Sequence, residues 1–294
     1  MEETYQQAAE VITHSGYGVV LSCAGISAET AAMTCRHQRG LWERYPEVGR
    51  YGILGLLEQY PEDTYTIIRD FIAVLKKAQP NATHRAMVEL EEKGYLGAVI
   101  TQNIDGLHRM AGNSQVYELH GNIYRLRCLV CGNRVTLAED EFFELADKVI
   151  GTTSFSPEAL FSAIPRCECG GLMRPDIVGF GEPVQDFEAA CEQVCMCSWM
   201  MIVGTSGIVY PAASLPYLAR ENNAFIIEVN AEKSKLSHLA DIVLLGTAEN
   251  VLPLVMEGLG SVDESAPSRF SRRKKLRSIS CLHDRRDREE RRRV

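Results

Sequence analysis

Five short apolar runs, each ending in small or polar residues, limit more than any other feature what this chain can fold into. They are Val19-Val20-Leu21, Ala98-Val99-Ile100, Met200-Met201-Ile202-Val203, Phe225-Ile226-Ile227-Glu228-Val229 and Ile242-Val243-Leu244-Leu245. Continuous apolarity, without an alternation of period two, is the pattern of strands covered on both faces, as in a parallel sheet. Between the runs, Asn81 to Lys93 and Phe187 to Cys197 carry helical spacing. Strands alternating with helices predict an α/β chain built on a doubly wound parallel sheet with helices on both faces.

In such a sheet, ligands bind beyond the carboxyl ends of the strands. The residues there are Ser22-Cys23-Ala24-Gly25-Ile26-Ser27, Thr101-Gln102-Asn103-Ile104-Asp105, Gly204-Thr205-Ser206 and Asn230. All but Ile26 and Ile104 are small or polar, so four strand ends converge on one crevice, and a dinucleotide is the size of ligand that uses such a crevice. Ala24-Gly25 lets the backbone approach a phosphate, and Ser27 suits a ribose or a helix cap. The glycine fingerprint of ordinary dehydrogenases is absent, so this loop alone also fits a plain strand-to-helix turn.

His120 stands in Glu118-Leu119-His120-Gly121-Asn122, fifteen residues after Asp105 and eight before Cys128. An imidazole with an ordinary pKa near ~6.5 suits proton transfer at neutral pH. Cys128-x-x-Cys131 and Cys167-x-Cys169, with 35 residues between them, offer four thiolates as two short knuckles, the donor set of a closed structural zinc site. Gly170-Gly171 permits the sharp turn that the tighter second pair needs. Thr136 to Ile164 reads as a helix plus an excursion. Cys191, Cys195 and Cys197 lie at helical spacing among apolar residues and read as packing.

With 294 residues, 46% of them hydrophobic, the chain is large enough for one core plus a small satellite module. No apolar run reaches the roughly 18 to 20 residues of a membrane span, and Met1-Glu2-Glu3 is unlike a basic signal-peptide start. The expectation is a soluble protein without a membrane partner, with its ten cysteines reduced. A cytoplasmic location follows, or a nuclear one in a eukaryote. The net charge of −8 hides an asymmetry: twelve of 31 basic and four of 39 acidic residues fall in Ser268 to Val294, leaving 19 against 35 before them, a net of −16. Residues 261–294 read as a basic, disordered tail, either simply solvated or suited to an acidic partner, nucleic acid or nuclear import.

Taken together, these motifs resemble the sirtuin family of NAD-dependent protein deacylases. The matching pieces are Ala24-Gly25-Ile26-Ser27, Thr101 to His108, Glu118 to Asn122, the two cysteine pairs, Arg174 to Glu182, Gly204-Thr205-Ser206 with Val209-Tyr210-Pro211, and Val229-Asn230, in family order. The resemblance implies a Rossmann-like sheet from residues 1–122 and 174–260, with a zinc-binding module inserted at 123–173. It implies NAD as cofactor and one structural zinc ion held by Cys128, Cys131, Cys167 and Cys169. His120 is then the general base and Asn103 a catalytic ribose contact. Ala24, Gly25, Ser27, Arg36, Gln102, Asp105, Gly204, Thr205, Ser206 and Asn230 are cofactor-binding, with Asp105 on the nicotinamide amide. Val178, Phe180, Gly181, Glu182 and Val209 line the site for an acylated-lysine protein or peptide, which adds as a strand.

Departures cluster in the cofactor loop. Cys23 replaces a family glycine, Ala31 another glycine, Met33 a proline and Cys35 a phenylalanine. They change a loop that closes over NAD, and the smaller Cys35 gives water access to the ribose. The expected products are nicotinamide, O-acyl-ADP-ribose and deacylated lysine, with acetyl or longer apolar acyl groups favoured. A mono-ADP-ribosyltransferase or NAD hydrolase, and a weakly catalytic NAD- or acyl-lysine-binding scaffold, stay open as alternatives.

Overall fold

A computed structural model of the chain describes residues 2–27, 59–150, 162–179 and 181–262. The cofactor-loop positions Ala31, Met33, Cys35 and Arg36, the substrate residue Phe180 and residues 263–294 of the tail lie outside the described residues.

All five apolar runs are strands: β1 (Gly18–Ser22), β2 (Leu96–Thr101), β7 (Trp199–Val203), β8 (Phe225–Asn230) and β9 (Ile242–Leu245). With β3 (Val116–Glu118) they form one six-stranded sheet in the order β3-β2-β1-β7-β8-β9, every neighbouring pair parallel. The chain builds outward from β1 in one direction and from β7 in the other. The switch point therefore falls between β1 and β7, where open α/β sheets bind their ligands.

Both faces are covered, which is why the runs are apolar but for the buried Glu228 of β8. On one face Val20, Val99, Met201, Val203, Ile227 and Val229 pack with Ile12 of α1 (Glu2–Ser15), Met87 and Leu90 of α3 (Ala82–Glu92), and Val251 and Val255 of α8 (Ala248–Leu259). On the other, Val19, Leu21, Ile100, Met200 and Ile202 pack with Ala190 and Val194 of α6 (Phe187–Met196) and Leu215 and Ala219 of α7 (Leu215–Glu221). Each such side chain taken fully from water contributes about 1.5–3 kcal/mol. The predicted helices thus hold, α3 starting one residue after Asn81, which caps it by accepting the His84 N–H.

A second sheet of three antiparallel strands has the order β5-β4-β6, from β4 (Gly121–Cys128), β5 (Arg134–Thr136) and β6 (Met173–Ile177). Its core is separate: Ile123, Tyr124, Phe142, Ala146 and Ile150 pack with Ile72 and Leu75 of α2 (Pro61–Leu75). Phe142 and Ala146 belong to α5 (Glu139–Ile150), which occupies the first half of the stretch read as a helix plus an excursion. Among the described residues no helix is long and apolar enough to cross a membrane.

Candidate active site

The crevice is made by backbone contact before any side chain enters. After β1 the chain makes a single 3-10 turn, Ala24–Ser27, and Gly25 N–H donates to the Gly204 carbonyl at 3.0 Å. A Cβ on Gly25 would lie 2.6 Å from Gly204 Cα, and one on Gly204 would lie 2.4 Å from the Gly25 carbonyl carbon. Only glycine at both places lets the two strand ends meet. A third end is tied in through Thr205, whose hydroxyl accepts from Gln102 Nε2 at 3.3 Å and from Gly207 N–H at 3.3 Å. A fourth joins where Asn230 Nδ2 donates to the Thr205 carbonyl at 2.7 Å. Ser206 is exposed beside them, whereas Thr205, Gln102 and Ser27 are buried.

The loop after β2 is organised in the same way. Asn103 N–H donates to the Thr101 hydroxyl at 3.1 Å, and Asp105 Oδ1 accepts from Leu107 N–H at 3.0 Å, at the first residue of α4 (Leu107–Ala111). The buried Asn103 Nδ2 has no hydrogen-bond partner among the described residues. It is one of eleven such side-chain atoms among the described residues, and its place on the loop after β2 leaves this donor available to a ligand oxygen. Asp105 is 4% exposed, and burial, with Glu118 adding to it, raises its carboxyl to about 6.

His120 follows β3. Its Nδ1 lies 2.8 Å from the Gln102 carbonyl, an acceptor only, so Nδ1 carries the proton and Nε2 the lone pair. Burial lowers its pKa, opposed by the Gln102 contact, so the imidazole is neutral at pH 7. A neutral ring with its tautomer fixed is what a general base requires.

Of the residues read as substrate-binding, Val178 meets His120 through the backbone, its N–H donating to the His120 carbonyl at 2.9 Å, and beside it Gln185 N–H donates to the Leu119 carbonyl at 2.9 Å. Val178 is half-buried, while Gly181 and Val209 are exposed. Glu182 is engaged within the protein: Arg174 Nη2 donates to its two oxygens at 2.5 and 2.7 Å, and Gly179 N–H at 3.0 Å. Its carboxylate is thus engaged in holding the loop to Arg174.

The sequence reading missed the charged chain beneath His120. Glu118, 2% exposed, accepts from Asn122 Nδ2 at 2.7 Å and from Arg125 Nη1 at 3.4 Å. Arg125 Nε and Arg134 Nε both reach Asp176 Oδ2, at 2.7 and 2.8 Å. Alternate Arg125 and Arg127 on a strand, facing an acidic residue in Arg174-Pro175-Asp176, were the available signal.

The four cysteines converge. Cys128, Cys131, Cys167 and Cys169 have all their sulfurs within 4.8 Å of one another, with Cys128–Cys169 at 3.5 Å and Cys131–Cys167 at 3.6 Å. A tetrahedral zinc ion with bonds of about 2.3 Å needs sulfurs about 3.8 Å apart, so the four are positioned to bind one zinc ion. A Cβ on Gly171 would lie 2.7 Å from the Cys128 sulfur, so the second knuckle closes only with glycine there. Cys191 and Cys197 are buried in the core under the large sheet, as packing residues.

The doubly wound sheet, the dinucleotide-sized crevice at its switch point and the four-thiolate site define a nucleotide-dependent enzyme with a structural metal. The sequence matches the Sir2 family over residues 23–211, and the chain belongs to that family. It is 39% identical over 262 residues to an NAD-dependent protein deacylase of Desulfosudis oleivorans, covering 87% of this chain and 96% of that protein. Among solved structures it resembles a Sir2 homolog–NAD complex, at 33% identity and TM-score 0.69 over 86% of this chain and 93% of the other. It also resembles Sir2Af2 bound to a myristoylated histone peptide, at 34% identity and TM-score 0.64 over 89% of this chain and 98% of the other.

Proposed function

We propose that this chain is an NAD-dependent protein lysine deacylase that releases nicotinamide and transfers an acyl group from lysine to ADP-ribose. The carrying observation is the neutral His120 imidazole, fixed by the Gln102 carbonyl at the mouth of the crevice. Bound NAD supplies the electrophilic ribose carbon on which the acyl oxygen acts. Asn103 offers its unpartnered Nδ2 to a ribose oxygen, and His120 Nε2 removes a proton from the ribose hydroxyls. Asp105, with a carboxyl at about 6, stays largely ionised at pH 7 and accepts from the nicotinamide amide. Ala24, Gly25, Ser27, Gly204, Thr205, Ser206 and Asn230 carry the phosphates and adenosine.

The peptide adds as a strand along Val178, Phe180, Gly181 and Val209, and its acyl group is acetyl or a longer apolar chain. Cys128, Cys131, Cys167 and Cys169 hold zinc, which orders the module read at 123–173 without touching the reacting atoms. The basic tail supplies contacts to an acidic partner. The test is a paired assay with NAD and acetyl- or myristoyl-lysine peptide, following nicotinamide and free lysine together, with His120→Ala as control. Equal yields, lost in the control, support the proposal. Nicotinamide alone would move the reading to NAD hydrolysis or ADP-ribosyl transfer.

A further inference from the structure

Two histidines that play no part in the chemistry above lie buried behind the crevice. His108 of α4 is 2% exposed, and His84 in the first turn of α3 is 0% exposed. Their rings sit 4.9 Å apart at 59°. Burial pushes them down to about 3 and about 4, so both are neutral at working pH. One nitrogen of each ring is engaged, His108 Nε2 and His84 Nδ1, while His108 Nδ1 and His84 Nε2 have no hydrogen-bond partner among the described residues, and each engaged nitrogen begins a chain of contacts that ends at a crevice loop.

His108 Nε2 lies 2.8 Å from the Ser22 hydroxyl at the end of β1. Ser22 lies 2.9 Å from the Thr101 hydroxyl, and that same hydroxyl accepts the Asn103 N–H at 3.1 Å. The other chain runs from His84 Nδ1 to Asn81 Oδ1 at 2.6 Å, and from Asn81 Nδ2 to the Ile26 carbonyl at 2.8 Å, inside the Ala24–Ser27 turn. One histidine thus fixes the loop carrying Asn103, the other fixes the turn carrying Gly25, and the two rings pack against each other.

We propose that His108 and His84 are positioning residues, an imidazole pair that clamps the Gln102–Asp105 loop and the Ala24–Ser27 turn to one another and so sets the width of the cofactor crevice. The inference rests on the NAD-binding reading above for its consequence, though not for its geometry. A crevice held from behind loses affinity for the dinucleotide when the clamp is cut, before it loses the ability to turn over what it binds.

The experiment compares His108→Leu, His108→Gln, His84→Leu, Ser22→Ala and the Ser22→Ala/His108→Leu double variant in the full chain. Three quantities are read: the amide exchange rate of Asn103 without NAD, the KM for NAD against kcat in nicotinamide release, and the melting temperature. His108→Leu is expected to speed Asn103 exchange and raise the NAD KM, each about tenfold, with kcat within about threefold. His84→Leu is expected to raise the KM to a similar degree. His108→Gln, whose amide nitrogen reaches the same place as Nε2, recovers most of the loss. Ser22→Ala reproduces the loss and adds nothing in the double variant, because both cut one chain. If His108→Leu does not fold, Ser22→Ala against His108→Gln carries the same comparison. A lowered melting temperature with unchanged Asn103 exchange and unchanged KM would reduce the pair to core packing and overturn the proposal, as would multiplicative effects in the double variant. Failure of the unaltered chain to release nicotinamide would sink the deacylase reading instead, and Asn103 exchange would then decide the clamp alone.

Discussion

Replacing Gly25 by alanine tests whether the crevice depends on backbone contact between β1 and β7. The new Cβ would lie 2.6 Å from both the Cα and the carbonyl oxygen of Gly204, where ordinary contact begins at 3.4 Å. Both neighbours are backbone, so no side chain can swing aside, and the strand ends must part by about 0.8 Å, the difference between those distances. That motion stretches the 3.0 Å bond from Gly25 N–H to the Gly204 carbonyl beyond hydrogen-bonding range. Losing it costs about 1 kcal/mol, and overpacking a tight contact costs a further ~1–3 kcal/mol. A total of about 2–4 kcal/mol lowers the melting temperature by roughly 5–15 °C in a body of this size. The displaced turn carries Ser27 and faces Thr205, so the NAD KM should rise more than the peptide KM. Thermal melts and nicotinamide-release kinetics measure both effects. Gly260→Ala is the control, since Gly260 has a helical φ of −66° and its Cβ would meet only the Glu257 carbonyl oxygen, at 3.5 Å. Gly25→Ala with the melting temperature and NAD KM of the unaltered chain would refute the close-contact argument.

Three further outcomes are expected. Stripping the metal removes a contribution of order 10 kcal/mol from the small sheet, and Cys131→Ser a part of it, so amide exchange at Leu126 and Cys128 should accelerate while the large sheet keeps its protection; unchanged exchange and full turnover after verified metal loss would contradict this. Asp176→Asn should destabilise by about 2–4 kcal/mol at pH 7, less than a fully buried pair because Arg125 and Arg134 keep some solvent. Burial alone raises the Asp176 carboxyl, but hydrogen bonds from Arg125 and Arg134 outweigh it and hold it below the usual range. Its contribution is therefore fully present above the unfolded value of about 3.9, and melts compared along a pH series should show the gap closing only as pH falls below that. Finally, burial lowers His120, so kcat/KM should fall only on the acid side of its ordinary value of about 6.5. An activity loss that begins above pH 7 would mean that another group limits the reaction.

The large sheet was legible because both of its faces are buried. Val19 to Leu21 and Met200 to Val203 have no polar side to obscure the pattern, and their ends point at one place. The cysteine knuckles were legible because four thiols at such spacing have few other uses. β3 was not, since a three-residue strand at the sheet edge is too short to show a period. Nor was the buried Glu118–Arg125–Asp176 chain, because its members lie up to 58 positions apart on three strands of two sheets and each looks like an ordinary surface charge. The histidine pair was hidden for the same reason: His108 was visible only as part of a motif, and His84 only as a residue near a helix start.

That charged chain explains how a cleft between two separately packed bodies keeps a fixed shape. The apolar clusters of the large sheet and of the module are distinct, and apolar surfaces alone tolerate sliding. Glu118 belongs to β3 of the large sheet, Asp176 to β6 of the small one, and Arg125 of β4 holds both. The bonds that cross between the bodies run from Asn122 and Arg125 to the nearly inaccessible Glu118 carboxylate, and they favour one register because a slip breaks both and leaves that buried charge with Arg109 alone. His120 lies on the two-residue link between β3 and β4, and Val178, at the end of β6, is bonded to its carbonyl. His120 and Val178 are therefore tied to the same charged residues, and on the inference above the Gln102–Asp105 loop and the Ala24–Ser27 turn are tied to the histidines behind them. Loosening either support should move one side of the cleft against the other while leaving both hydrophobic cores intact.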